Sequence, residues 1–129
     1  MSAETKIIHV ALAYNDKKQA DIFFNKILGI TFEKEYTLTK ELSNSIFGIN
    51  EEVLILVYSN KNSYFEIFIT DKKVINQYNH ICVEISNYDD FINRCKQNNI
   101  TPIFVKKGQK TLTFVRDHAS NLFEIKEKK

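Results

Sequence analysis

The chain has 129 residues, of which 18 are Lys or Arg and 16 are Asp or Glu, so its formal net charge is +2. That length fits one domain, and a content of 43% hydrophobic and 26% charged residues is typical of globular proteins. It excludes disordered, collagenous and coiled-coil chains. The slight basic excess is spread along the chain apart from its Lys-rich last residues, so neither nucleic-acid nor acidic-membrane binding is expected.

The sequence contains no membrane or secretion signal that we can identify. No apolar run approaches the roughly 18 residues of a membrane span, and the first residues lack the order of a signal peptide. Cys82 and Cys95 are too few for a disulfide framework and too far apart for a zinc knuckle. We therefore expect a cytoplasmic protein in which both cysteines are small core residues.

The chain contains an internal repeat. His9 opens an apolar run that is followed by a helical pattern, and this half ends on the tripeptide Phe65-Glu66-Ile67. His80 opens a second such run, and the second half ends on Phe123-Glu124-Ile125. Repetition of a whole unit predicts two copies of one structural module.

Each module is predicted to have one helix. In the first, Asn15 or Asp16 can cap the helix and Gly29 ends it; in the second, Asn87 caps the helix and Asn98-Asn99 end it. Apolar residues recur at helical spacing in both helices. These residues are Ala20, Phe23, Phe24, Ile27 and Leu28 in the first helix, and Tyr88, Phe91, Ile92 and Cys95 in the second.

Eight strands complete the two modules. They are predicted at about 6–14, 31–37, 52–58, 64–70, 80–86, 102–106, 111–117 and 121–126. The first module is longer, and its additional residues fall at about 38–50, where Thr39, Ser43 and Gly48 suit a loop. We therefore predict one α+β domain over 1–129, built from βαβββ modules at about 6–70 and about 79–127. The two modules would form a curved eight-stranded mixed sheet around a cleft.

Strand alternation places four polar residues on one face. Ile8, Val10 and Leu12 form an apolar face for the helix, so His9 points to the other side. The same alternation puts Glu66, His80 and Glu124 on His9's side. Two imidazoles and two carboxylates suit a divalent cation such as Ni²⁺, Co²⁺, Zn²⁺, Mn²⁺ or Fe²⁺. The alternative is a set of solvent-facing polar residues, which the repetition of both His and Glu disfavours.

These residues and two motifs resemble the vicinal oxygen chelate superfamily, which includes glyoxalase I, bleomycin-resistance proteins and extradiol dioxygenases. A first-strand His followed by a helix ending in Tyr/Phe-x-x-x-Leu-Gly is present as His9 and residues 24–29. The closing pattern Asp-Pro-x-Gly-Asn-x-x-Glu is present at residues 117–124, with His118 for Pro and Ser120 for Gly. These two departures predict a looser turn. The resemblance covers roughly residues 6–127 and implies a metal-centred cleft.

The resemblance implies a glyoxalase I-like metal site made by His9, Glu66, His80 and Glu124. The implied activity is a lyase, isomerase or epimerase reaction on a small-molecule carbonyl compound, by proton transfer through a metal-bound enediolate. Glu124 or Glu66 would act as the base and then as the acid. In this superfamily the modules pair within a chain or across a dimer, and we expect a homodimer.

Two other functions remain open. One is a non-catalytic protein that binds an antibiotic or another small molecule, as bleomycin-resistance proteins do. The other is an Fe(II) extradiol-type dioxygenase, which the fourth ligand and the short chain disfavour. Enzymes of the glyoxalase I type hold glutathione with an Arg and an Asn at the places of Ala13 and Thr70, so glutathione is not expected here.

Several further residues fall near the predicted site. Tyr64 and Phe68 flank Glu66 on its face, either as pocket walls or as filling of the barrel. Cys82 shares the face of His80. We expect surface roles for Arg116 and His118. The basic stretch 106–110 is expected to be a solvated loop.

Overall fold

The structure, a computed structural model, describes residues 6–75 and 77–129. Its strands form two mixed four-stranded sheets. Sheet A contains β1 (Val10–Tyr14), β2 (Thr31–Leu38), β3 (Val53–Ser59) and β4 (Tyr64–Ile69) in the order β1-β4-β3-β2. Sheet B contains β5 (Ile81–Ile85), β6 (Ile103–Lys107), β7 (Lys110–Arg116) and β8 (Leu122–Glu127) in the order β5-β8-β7-β6. The predicted tandem α+β fold is confirmed, with the eight strands divided between two sheets that do not close on each other.

The first helix has the predicted cap and the predicted end. α1 (Lys17–Asp21) begins after Asp16, whose carboxylate accepts a hydrogen bond from the Gln19 N–H at 3.1 Å. It continues as a π-helical segment (Ile22–Ile27), and Gly29 ends it with a φ of +75°. Four of the five residues in the predicted apolar stripe are fully buried, and Leu28 is half-buried.

The predicted loop at 38–50 is wrong, because most of it forms a second helix, α2 (Lys40–Phe47). The Thr39 hydroxyl accepts a hydrogen bond from the Leu42 N–H at 3.3 Å and caps the helix. Gly48, at φ +71°, donates its N–H to the Asn44 carbonyl and ends it. Thr39 and Gly48, two of the residues that suggested a loop, are therefore the helix's own cap and stop signals.

The helix of the second module, α3 (Tyr88–Gln97), lies where it was predicted but begins differently. Asn87 takes a left-handed φ of +56° and makes no side-chain cap hydrogen bond. Asp89 and Asp90 instead place negative charge in the first turn, which favours the positive end of the helix dipole. Across the described ranges, no helix is long and apolar enough to cross a membrane.

One hydrophobic core joins the two sheets through the helices between them. The Phe23 and Phe123 rings, one from each module, lie 5.1 Å apart. The Arg94 Nε and Nη2 atoms both donate to the Ile27 carbonyl, at 3.2 and 3.0 Å. Each sheet thus packs one face against a shared core. The other face of each sheet points away from this core, and we call it the inner face.

The start of β1 differs from the prediction. The strand begins at Val10, because Val10 is the first residue that pairs with the parallel strand β4, opposite Phe65. Ile7 and Ile8 therefore precede the sheet and are 79% and 69% exposed. The predicted packing of Ile8 against the helix is wrong, whereas Val10 and Leu12 do contact the core.

Candidate metal centre

The first pair of predicted ligands, His9 and Glu66, is formed within sheet A. His9 lies immediately before β1, and Glu66 lies in the adjacent parallel strand β4, opposite Ala11. The His9 Nε2 atom is 3.5 Å from the Glu66 Oε1 atom. The His9 side chain is 43% exposed and that of Glu66 is 17% exposed, so solvent reaches the pair mainly at the imidazole.

The second pair, His80 and Glu124, repeats this arrangement in sheet B. His80 lies immediately before β5, and Glu124 lies in β8 opposite Cys82. The His80 Nε2 atom is 3.7 Å from the Glu124 Oε1 atom. The Lys126 Nζ atom is also 3.3 Å from the Glu124 Oε2 atom, so this carboxylate has a cation that Glu66 does not share.

The tautomer of His80 follows from its second hydrogen bond. Its Nδ1 atom lies 2.9 Å from the Tyr78 carbonyl oxygen, which can only accept, so Nδ1 carries a proton. In a neutral imidazole the Nε2 lone pair then points at the Glu124 carboxylate. Two acceptors that face each other at this distance need a proton or a metal ion between them. The donor chemistry therefore fits a divalent cation.

The structure does not bring the two pairs together within one chain. In residues 6–75 and 77–129, no group of three or more His, Cys, Asp or Glu side chains lies close enough to hold a metal ion. Of the two arrangements that the sequence left open, a four-ligand site inside a single chain is therefore not formed. His9 and His80 instead precede β1 and β5, the edge strands of their sheets, and Glu66 and Glu124 lie in the neighbouring strands β4 and β8.

Two tyrosines lie near the first pair. The Tyr64 ring lies 6.2 Å from the His9 ring. Tyr36 of β2 reaches the same face, because it pairs with Ile55, which in turn pairs with Phe68. Partial burial, and then the nearby Glu66 charge, raise the pKa of the Tyr36 phenol, which therefore remains a hydrogen-bond donor.

Tyr36 was missed in the sequence. Every residue of β2 from Thr31 to Thr37 is exposed, so burial does not alternate along the strand and does not identify its inner face. Only the pairing register, with its irregularity between Phe32 and Lys34, assigns Tyr36 to the inner face.

A cavity of about 630 Å³ lies beside the first pair, between α2 and the inner face of sheet A. Ala11 and Ala13 of β1 and Phe68 of β4 line it, and Phe47 closes it from α2. The Phe47 and Phe68 rings meet edge to face at 5.4 Å. Of the two roles predicted for Phe68, the structure supports that of a pocket wall. Ala13 and Thr70, the positions expected to lack glutathione contacts, are also in this lining.

The two cysteines differ. Cys95 is fully buried as predicted, but Cys82 is exposed, so its prediction as a core residue is wrong. Strand β5 turns Cys82 to the inner face opposite Glu124, where it is exposed in the part of the chain that the structure describes. Partial desolvation, followed by the Glu124 charge, raises the pKa of the Cys82 thiol, which disfavours a thiolate ligand.

The turn before Glu124 is tight, so the predicted looser turn is wrong. The buried Asp117 carboxylate accepts hydrogen bonds from the backbone N–H of Ala119 at 3.0 Å and of Asn121 at 2.8 Å. The Asn121 amide also donates to the Ala13 carbonyl at 3.1 Å, which links this turn to β1. Ser120, at the position where the family motif has Gly, takes a left-handed φ of +72°. The turn thus contains a serine with a strained backbone conformation.

The remaining predicted residues have structural roles. The Arg116 Nη1 atom donates to the Ser120 carbonyl at 2.8 Å. His118 is half-buried rather than on the surface, because its Nε2 atom lies 2.9 Å from the Asn98 carbonyl at the end of α3. The basic stretch 106–110 is exposed, as predicted, and forms the β6–β7 hairpin around Gly108.

The chain consists of two βαβββ modules, each with one His–Glu pair, and the family comparison agrees with this architecture. The chain belongs to the glyoxalase/bleomycin resistance protein/dioxygenase superfamily, whose family model matches residues 8–115. No curated protein sequence matches the chain. Membership of the superfamily therefore rests on the family model and on the fold.

Solved structures with the same fold cover almost the whole chain. The fosfomycin resistance protein FosX from Listeria monocytogenes is 17% identical, with a TM-score of 0.72, over 98% of this chain and 96% of its own. A glyoxalase family protein from Bacillus cereus is 16% identical, with a TM-score of 0.73, over 98% of both chains. FosX from Mesorhizobium loti is 12% identical, with a TM-score of 0.70, over 96% of this chain and 92% of its own. A mutant of the Listeria FosX was crystallised with Mn(II) and a dihydroxypropylphosphonic acid.

Proposed function

We propose that this protein is a metal-dependent enzyme whose site forms across a homodimer. His9 and Glu66 of one protomer and the partner's His80 and Glu124 would together hold one divalent cation. The observation that carries this proposal is the presence of two equivalent His–Glu pairs, with Nε2 to Oε1 distances of 3.5 and 3.7 Å. A twofold axis that sets the β1 edge of one protomer beside the partner's β5 edge would make two identical sites.

Exposed apolar side chains support such an association. Ile7 and Ile8, next to His9, are 79% and 69% exposed. Clusters of exposed apolar residues on a soluble domain commonly mark an interface.

The proposed reaction is proton transfer at a carbon next to a carbonyl, as in lyases, isomerases and epimerases of this superfamily. When bound, a divalent cation supplies Lewis acidity that polarises the oxygens of a small-molecule carbonyl substrate. The protein's own contribution is a carboxylate that takes the proton and returns it.

Of the two candidate bases, Glu66 has the more suitable surroundings. Lys126 holds Glu124 at 3.3 Å, whereas in the described part of the chain no lysine or arginine forms an ion pair with Glu66. A carboxylate without a fixed cationic partner moves more freely. We therefore assign Glu66 as the base and then the acid, and Glu124 as the more firmly held ligand.

Elemental analysis of the purified protein tests the metal proposal. We expect about one divalent metal ion per chain, since a twofold dimer contains two sites. His80→Ala should abolish metal binding with the fold intact. His118→Gln is the matched control, because it changes the third histidine outside the site and should keep the metal. Full metal occupancy in His80→Ala would show that the ligand assignment is wrong.

A second candidate function is favoured by the cavity beside the first pair. Its lining contains neither His9 nor Glu66, so it can hold a small molecule without a metal ion. A non-catalytic binding protein would show no metal after growth in metal-rich medium. Solvent deuterium incorporation into methylglyoxal–thiol adducts, followed by NMR, would then also be absent.

A further inference from the structure

We propose that the cavity between α2 and sheet A binds a hydrophobic small molecule that carries no negative charge. This deepens the proposed function, and it rests on that function only for the claim that the occupant is the substrate. The occupant would place one end beside Ala11, which pairs with Glu66 across β1 and β4.

The size and lining of the cavity indicate an apolar occupant. Its volume of about 630 Å³ lies within the range of pockets that enclose drug-sized molecules. Most of its lining side chains are aliphatic or aromatic. Phe47 and Phe68 form one aromatic corner, and Ile49 and Val53 continue the apolar wall along the chain.

The polar part of the lining carries more carboxylates than cations, which disfavours the binding of anions. The buried Ser43 and the half-buried Thr70 supply neutral hydroxyl groups. The charged residues of the lining are three carboxylates and one ammonium group. These are Glu51, Glu52, Asp71 and Lys72.

The single cation does not offset the carboxylates. The Lys72 Nζ atom lies 3.4 Å from the Glu51 Oε2 atom and is therefore already paired. Among the residues that the structure describes, no cation forms an ion pair with Glu52 or Asp71. A ligand anion would meet the exposed carboxylates of Glu52 and Asp71, and like charges repel it. Phosphonates and carboxylates are thus expected to bind poorly in this cavity.

Two fluorescent probes that differ by one group test the proposal. 1-Anilinonaphthalene is neutral, and 1-anilinonaphthalene-8-sulfonate is the same ring system with a sulfonate. We expect the full-length metal-free protein to bind the neutral probe at least about tenfold more tightly, measured by fluorescence titration at low salt. Equal or tighter binding of the sulfonate would overturn the proposal.

Variants locate the probe and test the charge argument. Phe47→Ala should weaken binding of the neutral probe about tenfold, whereas Leu42→Ala, on the same helix and also 51% exposed, should not change it. Glu52→Gln with Asp71→Asn should tighten sulfonate binding and leave the neutral probe unchanged. Glu84→Gln with Glu127→Gln, which remove two carboxylates outside this lining, should change neither. Equal effects of Phe47→Ala and Leu42→Ala, or no gain for the sulfonate, would refute this assignment.

The test is independent of the metal proposal. His80→Ala should still bind the neutral probe, because no residue of the second pair lines the cavity. Loss of metal with retained probe binding supports the cavity assignment. Retained metal without probe binding would overturn the cavity assignment and leave the metal proposal standing.

Discussion

Two variants that each lack one His–Glu pair should restore metal binding when they are mixed. In the first variant, His9→Ala and Glu66→Ala remove the first pair. In the second, His80→Ala and Glu124→Ala remove the second pair. Either variant alone leaves every site of its homodimer with two protein ligands, and its metal affinity should fall sharply. The histidines are 43% exposed, so the fold should tolerate these changes.

The arithmetic of mixing follows from sites that are shared across the dimer. In a heterodimer, one site receives both intact pairs and the other receives both damaged pairs. Random exchange makes about half of the dimers heterodimers, and one of the two sites in each is intact, so about one quarter of wild-type metal returns. Subunit exchange, followed by dialysis against Mn²⁺ and elemental analysis, gives this fraction directly.

A matched control separates complementation from simple exchange. His9→Ala mixed with Glu66→Ala should restore nothing, because both chains damage the same pair and no site regains all four ligands. Native mass spectrometry confirms that heterodimers have formed. For the mixture of the two double variants, a metal content no higher than in either variant alone, with heterodimers present, would refute a site shared between protomers.

Two further predictions concern the turn before Glu124. Ser120→Gly should raise the free energy of unfolding by about 1 kcal/mol, measured in urea, because glycine removes the strain of a left-handed φ of +72°. Burial raises the pKa of the Asp117 carboxyl above its ordinary 3.8, and hydrogen bonds from Asn121 and the backbone offset part of that rise. The native state then binds the proton more tightly than the unfolded chain does. Wild-type stability relative to Asp117→Asn should therefore fall as pH rises above about 3.8 and level off above the native pKa.

Both predictions have an outcome that would contradict them. Ser86→Gly is the control for the serine, since Ser86 does not have a positive φ, and the same change should destabilise there. A stability loss in Ser120→Gly would mean that the serine side chain contributes more than its strained backbone costs. For Asp117, a stability difference that rises with pH would mean that the hydrogen bonds outweigh the burial.

The strands and the two pairs could be predicted because their signals are local and repeated. Alternation along a strand assigns a face, and the duplication of His and Glu indicates which polar residues to propose as ligands. The helix over Lys40–Phe47 could not be predicted in this way, because Thr39 and Gly48 serve a loop and a capped helix equally well. The contribution of Phe47 to the cavity was missed for the same reason, since it lies on that helix.

Other errors came from treating the protomer as closed. Alternation correctly placed Cys82 on the face of Glu124, whereas Ile8 precedes β1 and was wrongly assigned to that strand. Their burial depends on what covers the sheet edges and inner faces, and both side chains are exposed among the residues that the structure describes. Whether the four predicted ligands come from one chain or from two could likewise not be predicted from one sequence. It depends on how two sheets are brought together.

Helix α2 has a consequence for how this protein can diversify. Only the first half of the duplication carries it, and Ser43, Phe47, Ile49 and residues 51–53 supply one wall of the cavity. Descendants that alter residues between Thr39 and Val53 would reshape this wall and leave His9, Glu66, His80 and Glu124 in place. The reverse change is also open, because the cavity would persist if those four side chains were lost.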